Sequence, residues 1–137
     1  MAQPDINYLA VLITGFLSMF IGFLWYGPLF GKSWMNLMNF TKKNMKKMRM
    51  RPGTAYFWGF ITALLMNYVL AFFVDYADAT SFELGMQVGF WIWLGFFAPV
   101  MLGIVLWENK PFKLYLLNVL HYLVVLLING GILAAWA

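Results

Sequence analysis

Charged residues are confined to the gaps of this chain and the run ends that border them, and four apolar runs lie between. The runs are about Tyr8–Tyr26, Thr54–Val74, Leu84–Trp107 and Phe112–Trp136, and none carries a charge in its interior. Each reaches the roughly 20 residues a helix needs to cross about 30 Å of hydrocarbon. The pattern predicts an all-α integral membrane protein, a single membrane domain over residues 1–137 folded as a four-transmembrane-helix up-down bundle with short connections.

Small residues recur within the runs at three- and four-residue spacings. Thr14, Gly15, Ser18 and Gly22 form a stripe on the first run, and Gly85 and Gly89 form a GxxxG on the third. Both faces admit another helix at close range, either a second copy of the chain or a neighbour in the same bundle. Pro99 removes a backbone donor in the middle of the third run, which predicts a kinked helix and a freed carbonyl on Gly95. Asn129, Gly130 and Gly131 soften the outer third of the fourth run.

The first run leaves the bilayer through GFLWYGPLFGKSW, Gly22–Trp34. Trp25, Tyr26 and Trp34 are amphipathic rings suited to the headgroup level, and Lys32 is the first charge after Asp5. Gly27-Pro28 is expected to stop the helix, since proline lacks an N–H and disfavours helical geometry in the residue before it. Trp107 and Glu108 mark the corresponding exit of the third run, ahead of the turn through Lys110 and Pro111. The two exits are faintly alike, as two helices leaving on the same side under the same constraints would be; a parallel internal repeat is the alternative.

Charge then assigns the sides. Seven of the nine basic residues lie in Lys32–Arg51 and the other two are Lys110 and Lys113, whereas Asp5, Asp75, Asp78 and Glu83 fall in the opposite gaps. The positive-inside rule puts the basic side in the cytoplasm and both termini outside it. Trp34, Leu37, Met38, Thr41, Met45 and Met48 recur at helical spacing, so the segment between the first two spans reads as a basic amphipathic helix on the cytoplasmic face. A shorter helix from Thr41 to Arg49 fits the same residues. Lys42, Lys43, Lys46, Lys47, Arg49 and Arg51 are candidates for anionic lipid headgroups, at about 1 kcal/mol per basic residue near the surface, or serve orientation alone. With no Lys or Arg before Lys32, the start of the chain lacks the basic region of a signal peptide, and Tyr8 onward reads as a retained helix.

Composition narrows the chemistry. The chain is 64% hydrophobic and 10% charged, far from the roughly 25% charged residues of a soluble domain. A net charge of +4 gathered in one gap points to topology rather than nucleic acid. There is no cysteine and one histidine, so one subunit offers no thiolate site and no histidine-rich metal site. No cofactor is expected. A catalytic constellation is also missing: only Glu108 and His121 could pair, and 13 positions apart across a turn they differ in depth by about 12 Å.

What remains is one polar level inside the membrane. His121 and Asn118 project from the fourth run one turn apart, and counting inward at 1.5 Å per residue puts Pro99 at the depth of His121, about 12 Å. Thr62 and Ser18 reach similar depths, so their hydroxyls, the Gly95 carbonyl and the imidazole are expected to meet in a midplane cluster. An intramembrane ionisable residue marks a solute or proton pathway, or else a satisfied packing contact.

NYLAVLITGFLSMFIGFLWYGPLFGKSW near the start, WLGFFAPVMLGIVLWENKPFKLYLLN in the third run and LHYLV in the fourth resemble the bacterial membrane family filed as domain of unknown function 1761. Trp25–Lys32 carries most of the likeness, followed by Trp107-Glu108. The middle gap, TKKNMKKMRM, departs from the family in lacking acids. The resemblance implies a small four-helix protein of the bacterial plasma membrane and carries no catalytic residues. Two functions fit: an oligomeric transporter or channel, because four helices leave little room for a pore in one subunit, and an accessory subunit packed against a larger membrane complex.

Overall fold

The computed structural model describes residues 6–38 and 52–136, and all regular structure among them is helical. Four helices are long and apolar enough to span a membrane: Tyr8–Leu29, Gly53–Tyr76, Phe82–Leu106 and Phe112–Ala135. Large apolar side chains such as Phe16, Phe23, Leu65, Trp91, Phe96 and Val100 point outward. Such a surface suits hydrocarbon, since soluble monomers rarely expose contiguous apolar patches above a few hundred Å².

Helix α1 (Tyr8–Leu24) begins at Asn7, whose side-chain oxygen accepts from the Ala10 N–H at 3.2 Å. It does not stop at Gly27-Pro28 as expected. A π turn over Trp25–Leu29 carries the helix on, closed by Phe30 N–H donating to the Trp25 carbonyl at 2.9 Å. The wider turn seats Pro28, whose missing N–H and bulky ring conflict with the α-type bond to the preceding turn. Helix α2 (Gly31–Met38) follows at once, with Gly31 packed so closely on the Tyr26 carbonyl that a Cβ would stand 2.7 Å from its oxygen. Lys42, Lys43, Lys46, Lys47, Arg49 and Arg51 lie outside the described residues.

Helix α3 (Pro52–Tyr76) leads through a turn with Asp78 at φ 53° to Ser81, which caps the third span by accepting from the Leu84 N–H at 3.2 Å. The third span is discontinuous: α4 (Phe82–Ile92), a second π turn over Trp93–Phe97, then α5 (Ala98–Met101) and α6 (Gly103–Leu106). Pro99 follows this π turn as Pro28 occupies the first. Asn109 turns the chain at φ 55°, a left-handed conformation that asparagine tolerates, into α7 (Phe112–Ala135).

The core is built on α7. Leu114, Val119, Val125, Leu126 and Asn129 are almost fully enclosed, and α1, α3 and α4 all pack against this helix. On one side, Gly85 meets Gly130 and Gly89 meets Leu126; on the other, Asn7 donates to the Trp136 carbonyl at 2.6 Å and Trp25 to that of Leu117 at 2.9 Å. In each set the numbers rise on one helix as they fall on the other, so α4 and α1 both run antiparallel to α7. The GxxxG therefore serves the interior of this chain. A Cβ on Gly85 would collide with the Gly130 carbonyl and one on Gly89 with that of Leu126, which removes both residues from any contact between copies.

Candidate functional site

Two polar levels replace the single one expected. The upper is a bridge across three spans: Asn129 of α7 donates to Ser18 Oγ of α1 at 2.7 Å and to Asn67 Oδ1 of α3 at 3.0 Å, and Asn67 donates to Ser18 Oγ at 3.2 Å. Ser18 donates in turn to the Thr14 carbonyl at 2.8 Å, and Thr14 Oγ1 lies 2.9 Å from the carbonyls of Ala10 and Val11. All four side chains are buried. Their bonds satisfy groups that hydrocarbon cannot, at about 0.6–2 kcal/mol for each interhelical bond. Asn129 Oδ1 alone in this bridge has no partner.

The lower level surrounds His121, which is 8% exposed. The rings of Tyr122, Tyr26 and Trp25 stand 4.9, 5.0 and 6.0 Å from the imidazole, centroid to centroid. Trp34 extends the group by meeting Tyr26 edge-on at 5.5 Å. Donors around this level are committed to other acceptors: Trp25 Nε1 to the Leu117 carbonyl at 2.9 Å, Tyr26 Oη to Asn118 Oδ1 at 2.8 Å, Trp93 Nε1 to the Val119 carbonyl at 2.7 Å and Tyr115 Oη to the Ala98 carbonyl at 2.7 Å. The two indoles come from the first residues of the two π turns and grip α7 from opposite neighbours. His121 Nδ1 and Nε2 are both buried without a partner. Beside Nε2 lies Gly22, where a Cβ would stand 3.6 Å from the nitrogen.

The expected cluster is thus divided. His121 and Asn118 share the lower level, with Asn118 bound to Tyr26 rather than to the imidazole. Ser18 belongs to the upper one, because α1 runs past Tyr26 to Leu29 and raises every earlier residue by nearly a turn relative to the expected exit; Gly22 takes the place beside the histidine. Thr62 is exposed and donates to the Gly59 carbonyl of its own helix at 2.8 Å. Gly95 and Pro99 face outward, and no side chain among the described residues bonds to Gly95. Of the exit residues, Trp25, Tyr26 and Trp34 join the aromatic enclosure, whereas Gly27, Pro28, Lys32, Trp107 and Glu108 are exposed.

Sequence reasoning passed over Asn129 as a softening residue and did not foresee the Trp25 and Trp93 clamps. The signal for the first was present. Counted from the span ends on the side of the termini, Ser18, Asn67 and Asn129 lie about 15, 14 and 9 Å deep at 1.5 Å per residue, near enough for long side chains to meet. For the clamps there was none, since an indole at an interface reads as an anchor whichever way its N–H points.

No group of three or more metal-ligating side chains occurs among the described residues. A family model described as "Protein of unknown function (DUF1761)" matches residues 9–134. No curated protein and no solved structure matches the chain.

Proposed function

The chain belongs to the DUF1761 family, and from that premise we propose that it is a small transporter or channel of the bacterial plasma membrane whose solute or proton engages His121. One observation carries this reading: an imidazole enclosed by protein keeps both nitrogens unbonded while the nearby donors of Trp25 and Tyr26 are committed elsewhere. A buried polar group left unpaired loses about 1–3 kcal/mol. An imidazole kept only for packing would be expected to satisfy at least one nitrogen, whereas one that receives a passing ligand must hold a nitrogen free.

The reading sets four spans as an up-down bundle with both termini outside the cytoplasm. The basic segment Lys32–Gly53 then faces the cytoplasm, with Lys42, Lys43, Lys46, Lys47, Arg49 and Arg51 toward anionic headgroups. The pathway forms in a homo-oligomer, because the Ser18–Asn67–Asn129 bridge closes the interior of one bundle. Proteoliposomes test it directly. Proton flux, followed by a trapped pH dye, and swelling in uncharged solutes should exceed those of empty vesicles in at least one case. His121→Leu should reduce that flux about tenfold or more with the helical fold retained. Equal flux in the variant, or none in the wild type, rejects the proposal.

An accessory role draws on the third span, which packs one face on α7 and turns Trp91, Phe96 and Val100 outward. Mass determination of the complex extracted from native membrane separates the two. Other chains in stable stoichiometry support the accessory role; copies of this chain alone support transport.

A further inference from the structure

The His121 enclosure also constrains the chemistry of what it receives, an argument that rests on His121 being the working residue. We infer that the site takes an uncharged, lipid-soluble ring compound bearing a carbonyl, of the quinone or aryl ketone class, held by a hydrogen bond to the imidazole.

Polar atoms limit the ligand first. A neutral imidazole offers one donor and one acceptor, the indole and phenol donors of Trp25, Tyr26, Trp93 and Tyr115 are already bonded, and the Tyr122 hydroxyl adds one more group that a ligand could meet. A sugar or polyol would bring more hydroxyls than the enclosure can satisfy, each unpaired one losing about 1–3 kcal/mol. The ligand therefore carries few polar atoms on an apolar body.

Charge limits it next. Asp75, Glu83 and Lys113 are the charged residues of the four spans, and all three lie at span ends. An ionic ligand at His121 would face no counter-charge in hydrocarbon. Nor can the site ligate a metal, for His121 is the single histidine, cysteine is absent, and no metal-ligating group assembles among the described residues.

The surroundings complete the description. With their polar ends turned away, Trp25 and Tyr26 present ring surface to the imidazole, and Tyr122 closes a third side. Flat ligands gain from offset or edge contacts with such rings. The enclosure is thinnest at Gly22: the residue is half-buried, its neighbour Phe23 points outward, and hydrogen is all that glycine places beside the buried Nε2. A lipid-soluble molecule can reach that point laterally, between α1 and α7, without an aqueous channel.

A single histidine makes the test clean, because protein labelled with 15N-histidine and carrying no histidine tag yields the imidazole signals of His121 alone. In lipid nanodiscs, 1,4-naphthoquinone should shift those signals saturably, while naphthalene, the same ring system without carbonyls, should not. The absence of cysteine removes the thiols with which a quinone would react. Gly22→Ala puts a methyl at ordinary contact distance from Nε2, so the variant should fold and retain the imidazole signals yet bind naphthoquinone about tenfold more weakly, about 1.4 kcal/mol. Gly95→Ala, on an open surface, should bind as the wild type does. No saturable shift in the wild type, an equal shift with naphthalene, or undiminished affinity in Gly22→Ala overturns the inference. Failure here with His121-dependent flux intact rejects the ring-carbonyl class and leaves transport standing; binding without flux does the reverse.

Discussion

Asn129 shows how much one amide can organise. Its Nδ2 joins α7 to both α1 and α3, and Asn67 completes the triangle on Ser18. Replacing Asn129 by leucine should destabilise the protein by about 1–4 kcal/mol, from two interhelical bonds at about 0.6–2 kcal/mol each, measured by reversible denaturation in mixed micelles. Asn67→Leu combined with Asn129→Leu should lose less than the sum of the two single changes, because removing both partners leaves no amide stranded; full additivity would mean that the two side chains do not interact. The sequence shows Asn67 inside an apolar run, where a buried amide needs a partner. It could not name Asn129, since any polar side chain within reach would have satisfied the requirement. His121 was likewise legible as a buried histidine, but whether its nitrogens were bonded depended on where Trp25, Tyr26 and Asn118 spent their own donors and acceptors.

At the scale of elements, some glycines touch backbone, some touch side chains and some touch nothing. Gly85 and Gly89 let α4 lie against α7 at backbone contact, whereas an added Cβ at Gly95 or Gly27 meets no atom within 4 Å. Gly85→Ala and Gly89→Ala should each destabilise by about 1–3 kcal/mol or more through overpacking. Gly95→Ala should stay within about 0.5 kcal/mol, as for other open surface positions; equal effects at all three would refute the interior assignment of the GxxxG. The motif itself was plain in the sequence, but not the surface it would meet, because small-residue spacing is the same for a neighbouring helix and a neighbouring subunit. The π turns were hidden for a different reason. Pro28 conflicts with the α-type hydrogen bond, and either ending the helix or widening one turn relieves that conflict. Packing of Trp25 against α7 goes with the second solution.

For the whole molecule, the outward face is apolar along four spans, and aromatic rings such as Tyr8, Trp58, Tyr76, Trp107 and Trp136 are exposed near the ends of the helices. Such belts fit the two faces of a bilayer. Topology is testable without background because the chain has no cysteine. Cysteine placed at Thr80 or at Glu108, both exposed, should react with a membrane-impermeant thiol reagent in intact cells at Thr80 alone; labelling of Glu108 but not Thr80 would invert the orientation. The sequence by itself determined the helical class, the number of spans and the segregation of charge, because length, hydropathy and the confinement of lysines are properties of the chain read one stretch at a time. Tertiary structure decided which polar residues meet, since that depends on the level at which each helix ends and the face it turns inward. Three further residues of helix beyond Tyr26 carried Ser18 to Asn67 and Asn129 and left His121 beside Gly22, with its nitrogens unspent.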